Sequence, residues 1–82
     1  MAARILLFGR LADIAGWRER SLSPPPASIA RLRALLAAED PALGQALSGP
    51  GVQVALDKIL VRGDAVLAAG MEIAFLPPMS GG

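Results

Sequence analysis

Histidine, cysteine and tyrosine are all absent from this 82-residue chain. Without the first two there is no imidazole base, no thiolate nucleophile, no disulfide and none of the usual metal ligands, so self-contained catalysis and a metal centre are not expected. Aromatic residues make up 4% and the formal net charge is only +1, which argues against a nucleic-acid binder with its basic face and stacking platforms. Long apolar runs are missing too. Ile5-Leu6-Leu7-Phe8 stops at Gly9-Arg10, short of a secretory h-region, and the stretch 65–79 is broken by Gly70, Glu72 and two prolines, so neither a signal peptide nor a membrane span is expected. The expected setting is the cytoplasm.

What the chain does have is 54% hydrophobic residues against 18% charged ones, enough for one small core with apolar surface left over for a partner. A domain of this size buries roughly 60% of its unfolded surface and has a stability on the order of 4–12 kcal/mol. Charge is unevenly placed. Residues 1–38 carry six arginines against Asp13 and Glu19, net +4, whereas residues 39–82 carry Lys58 and Arg62 against five acids, net −3.

Residues 3–8 read as a central strand buried on both faces, and Leu11, Ile14 and Ala15 as one helical turn stopped by Gly16. Residues 17–23 read as an edge strand in which Arg18 and Arg20 are solvated charges guarding the edge, with Trp17 packing over it. Pro24-Pro25-Pro26 leads to a main helix over about 28–39, with Ser28 as N-cap and Ile29, Leu32, Leu35 and Leu36 as its apolar stripe. Residues 41–47 read as a short turn, closed by Gly49-Pro50-Gly51. Val52, Val54 and Leu56 alternate with polar or small neighbours as a strand, Asp57-Lys58 turns it into residues 59–61, and residues 72–76 form the last strand. Ile73 and Phe75 face the core there, and Leu76 faces the other way as a candidate interface residue with Pro77 and Pro78. Lys58 is assigned no role. The order strand, strand, helix, strand, short strand, strand predicts an α+β roll, a mixed sheet of about five strands covered by one main helix.

The most informative stretch is Phe75-Leu76-Pro77-Pro78-Met79-Ser80-Gly81-Gly82. Two terminal glycines arise by chance in roughly 0.5% of chains, and the proline pair supplies a rigid exit that a merely frayed end does not need. Met79, Ser80, Gly81 and Gly82 reach at most about 14 Å and present a glycine carboxylate with no Cβ to crowd it. That carboxylate, ionised at neutral pH, is a poor electrophile until another protein activates it.

Together with Ile5-Leu6-Leu7-Phe8, the segment 11–16, Ala55-Leu56-Asp57 and Gly70-Met71-Glu72-Ile73-Ala74-Phe75-Leu76, this ending resembles the small subunit of molybdopterin synthase, a ubiquitin-like sulfur carrier of the β-grasp fold. The sequence departs from the family at Asp57, often Asn, at Met71, often Asp, and at Leu76, often a second aromatic. The resemblance implies a β-grasp domain over residues 1–78 and a flexible tail over 79–82. It implies that an E1-like enzyme uses ATP to adenylate Gly82, that a sulfur donor protein converts the adenylate to a thiocarboxylate, and that Met79, Ser80 and Gly81 thread the tail into the large synthase subunit. Sulfur then passes to a pyranopterin precursor of the molybdenum cofactor, the partner supplying the acid–base groups and two small subunits flanking a large-subunit dimer. The chain itself is expected to bind no cofactor and no metal. A thiamine-pathway sulfur carrier, a ubiquitin-like protein modifier and a non-reactive interaction module are the alternatives.

Overall fold

The computed structural model describes residues 1–78. Eight elements succeed one another: β1 (Ala3–Leu7), α1 (Arg10–Ala15), β2 (Glu19–Leu22), α2 (Ile29–Glu39), α3 (Pro41–Leu47), β3 (Gln53–Leu56), β4 (Ile59–Val61) and β5 (Glu72–Leu76). The five strands form one sheet in the order β2-β1-β5-β3-β4, parallel between β1 and β5 and antiparallel elsewhere. This is the α+β roll expected from the order of elements, in the β-grasp form that the resemblance implies.

Helices cover one face of the sheet, and strand alternation decides which side chains they bury. Ala3, Ile5 and Leu7 of β1 point under the helices beside Ile73 and Phe75 of β5, and all five are buried. The intervening Arg4 is exposed and Leu6 half-buried, so β1 is not buried on both faces as its apolar run implied. Among the described residues no helix crosses the second face, and a strand in such a sheet keeps a wet side however apolar its residues.

Helix α2 begins as expected, with the Ser28 hydroxyl accepting from the Arg31 N–H at 3.2 Å. A second cap comes from Asp64, whose Oδ1 accepts from the Ala30 N–H at 2.9 Å. Ile29, Leu32 and Leu36 are buried, while Leu35 lies at the margin of the stripe. The stretch read as a short turn is instead the seven-residue helix α3, capped by Asp40, whose carboxylate accepts from the Leu43 N–H, and started by Pro41. Gly44 makes that helix possible in its place. A Cβ there would stand 2.5 Å from the Cβ of Ala37 and 2.7 Å from its Cα, so α3 packs on α2 backbone to backbone. The covering layer is therefore α2 with α3 alongside and α1 contributing Leu11 and Ala12.

Two turns and one edge complete the frame. Asp57 and Lys58 both have positive φ, 47° and 71°, the backbone of a two-residue hairpin between β3 and β4. The Asp57 carboxylate accepts from the Glu72 N–H at 3.0 Å, anchoring that turn to the start of β5. On the β2 edge, Arg20 is not a solvated guard. It pairs in register with Ile5 on the helix side, donates to Glu39 at the end of α2 at 2.7 Å, and lies 5.1 Å over the Trp17 ring. The hydrogen bond holds Glu39 below the usual carboxylate range and raises Arg20. Arg18 is exposed as expected, and Trp17 packs against the core.

Candidate functional site

Parallel pairing of β1 with β5 sends both strands toward the same end of the sheet, where the chain leaves the domain. Continuing the register beyond Leu7 and Phe75 puts Phe8 beside Leu76. The next row on the open face runs Leu60, Ala55, Ala74, Leu6 across β4, β3, β5 and β1. The alanines at its centre leave it shallow, and larger side chains flank them, with Leu60 56% and Phe8 45% exposed. The result is a continuous apolar surface at the root of the tail, of the kind that docks a partner. Charge borders this surface on the same face, where Arg4 pairs with Glu72 and, at 3.9 Å, with Glu19, which stands opposite Leu6 on the β2 edge.

The exit itself is built by glycines. Gly9, between β1 and α1, has φ 56°, and a Cβ on it would lie 3.1 Å from Pro77 Cγ; Gly51, before β3, has φ 84°, and a Cβ on it would lie 2.7 Å from Pro78 Cβ. Beside the prolines opens a groove of about 680 Å³ lined mainly by Leu11, Ile14, Ala46, Pro50 and Val52, with Arg10 at its rim. Among the described residues no cluster of three or more His, Cys, Asp or Glu side chains could hold a metal.

Leu76 is half-buried on the open face, Pro77 half-buried and Pro78 exposed, so the three expected interface residues share one corner. Met79, Ser80, Gly81 and Gly82 lie outside the described residues. Phe8, Leu60, Gly9 and Gly51 join the corner without having been singled out from the sequence. Only the Pro-Pro motif hinted that something had to grip the exit.

A family model matches residues 5–82, and it is that of the ThiS family. The chain belongs to the ThiS family of ubiquitin-like sulfur carriers. Among solved structures, small archaeal modifier protein 1 of Haloferax volcanii is 27% identical over the whole of both chains, with a TM-score of 0.83. The same-named protein of Methanosarcina acetivorans is 24% identical over 99% of this chain and 96% of that one, with a TM-score of 0.82. Subunit 1 in a complex with subunit 2 of the molybdopterin-converting factor of Helicobacter pylori is 24% identical over the whole of both chains, with a TM-score of 0.70. No curated protein matches the chain by sequence at a significant level. Among the described residues, no helix of this ThiS-family domain is long and apolar enough to cross a membrane.

Proposed function

We propose that this ThiS-family chain is the sulfur-carrying subunit of a molybdopterin synthase, with Gly82 as the reacting residue. The Gly82 carboxylate oxygen attacks the α-phosphorus of ATP held by an E1-like partner, pyrophosphate leaves, and an acyl adenylate forms. The outer sulfur of a donor protein's persulfide attacks the acyl carbon and AMP leaves. A thiol then cleaves the acyl disulfide so that the donor departs as a disulfide, and the thiocarboxylate that remains is used by the large synthase subunit to sulfurate a pyranopterin precursor in the cytoplasm. Met79, Ser80 and Gly81 thread the tail into that subunit, while Leu76, Pro77 and Pro78 dock with Phe8 and Leu60. ATP belongs to the activating enzyme, and this chain holds no cofactor.

The observation that carries the reading is a sulfur-carrier domain whose sequence ends in Gly81-Gly82 immediately beyond an apolar docking corner. The H. pylori complex, where a structurally similar subunit sits with a subunit 2, supports a large-subunit partner. Intact mass spectrometry tests the chemistry. Incubation with the activating enzyme, ATP and a sulfur donor should raise the mass of the C-terminal peptide by the exchange of one oxygen for sulfur, and an unchanged peptide beside a competent enzyme refutes it.

One observation favours a second reading. Similarity to the small archaeal modifier protein is spread over the whole chain at 27% identity, and a modifier would join Gly82 to lysines of other proteins. High-mass conjugates that vanish without Gly82 mark that outcome.

A further inference from the structure

We infer that Gly9 and Gly51 are positioning residues, a two-glycine cradle that sets the direction in which the chain leaves residue 78 and so aims the reactive end. The inference rests on the sulfur-carrier reading for its functional consequence and on geometry alone for its structural one.

Gly9, Gly16, Gly51, Gly63 and Gly70 all have positive φ, a conformation that disfavours any side chain. At Gly16, Gly63 and Gly70 a Cβ would meet nothing within 4 Å, so the backbone alone accounts for glycine there. Gly9 and Gly51 differ, because each also makes room for one of two successive prolines, Pro77 at Gly9 and Pro78 at Gly51. The two glycines come from separate loops, one after β1 and one before β3, so together they hold the proline pair from both flanks.

A proline pair is stiff, and gripping it at two points fixes the orientation of the residues beyond it far better than one contact does. The loop bearing Gly51 is itself secured. Arg33 of α2 donates to the Leu47 carbonyl at the end of α3 and lies 5.4 Å over the ring of Phe75, in the strand that ends at the prolines. Cradle and proline pair are thus tied to one rigid frame. Orientation matters because a terminus that must enter a partner's site loses rate when its root moves by even an ångström. With Ala at position 51, Pro78 must retreat by more than half an ångström to reach ordinary contact.

Gly70→Ala provides a matched control, since Gly70 has the same φ of 84° and open space around it. Both variants carry the same backbone strain, and only Gly51→Ala displaces the tail root. The chain lacks cysteine, so a nitroxide on Gly82→Cys reports where the tail points through the broadening it causes at amides of the body. Gly51→Ala should redistribute that broadening and Gly70→Ala should leave it unchanged. In the sulfur-loading assay with saturating activating enzyme, Gly51→Ala should lower the rate at least about tenfold, while Gly70→Ala changes the rate less than about twofold. In a Pro78→Gly background, which removes the opposing Cβ, Gly51→Ala should cost no more than Gly70→Ala. Identical behaviour of the two alanine variants in both assays overturns the cradle. If the wild-type chain takes up no sulfur, the functional reading falls, and the nitroxide comparison still decides whether the cradle aims the tail.

Discussion

Gly44→Ala is a substitution whose sign is reversed by tertiary packing. In an isolated helix, replacing an interior glycine by alanine stabilises by about 1 kcal/mol, so α3 considered alone should gain. In the folded domain the new Cβ would lie 2.5 Å from the Cβ of Ala37 and 2.7 Å from its Cα. The second contact is to backbone, so no rotamer change relieves it and α3 must move off α2. Overpacking against backbone that cannot rotate away falls in the upper part of the usual range, about 2–3 kcal/mol. Helix propensity offsets part of it, leaving a net destabilisation of about 1–2 kcal/mol. For a domain of this size that lowers Tm by about 4–16 °C. Urea unfolding monitored by circular dichroism should show an earlier midpoint with an unchanged slope, the sign of altered stability without a changed denatured state. A Gly44→Ala protein as stable as wild type, or more so, refutes the backbone-to-backbone packing of α2 and α3.

Three further outcomes are expected. Leu60→Asp, at a position 56% exposed, should shift Tm by less than about 4 °C yet weaken binding to the large synthase subunit at least about tenfold by calorimetry. Val66→Asp, 78% exposed and away from the docking corner, should leave that binding unchanged. Removing Gly81 and Gly82 should leave the melting curve of the domain in place and abolish the sulfur mass gain, because a chain end contributes little to the core. The Arg20 hydrogen bond lowers the pKa of Glu39 in the fold, so its contribution is fully present above the ordinary carboxylate pKa and disappears as pH falls through the lowered one. Glu39→Gln should therefore lower stability at neutral pH and flatten the acid limb of stability as pH falls below the ordinary carboxylate range, measured by urea midpoints along that limb.

The parts of the fold visible in advance were those governed by a few neighbouring residues. Ser28 caps α2 because its hydroxyl lies within reach of an N–H three residues on, and Asp57-Lys58 turns because Asp is one of the few residues besides glycine that enters the left-handed region. Ile73 and Phe75 face the core by strand alternation. Helix α3 was hidden because Pro41, Gly44 and its short length all weaken a helical pattern, and the compensation comes from Ala37 on another helix. The surroundings of Arg20 were hidden for the same reason, since Glu39 reaches it only once α2 lies across the sheet. The docking corner was half legible. Leu76, Pro77 and Pro78 stand together in the chain, whereas Phe8, Leu60, Gly9 and Gly51 arrive from three other segments.

Local chemistry in the residue order was sufficient to specify a small α+β domain whose sequence closes on a proline pair and two glycines. Capping, turn preference and side-chain periodicity act over a few bonds and can be read directly from neighbours. Which face of β1 stays open, how closely α3 approaches α2, and what grips the proline pair depend on segments distant in the chain. Those contacts come into being when β1 and β5, from opposite ends of the polypeptide, lie side by side beneath the helices.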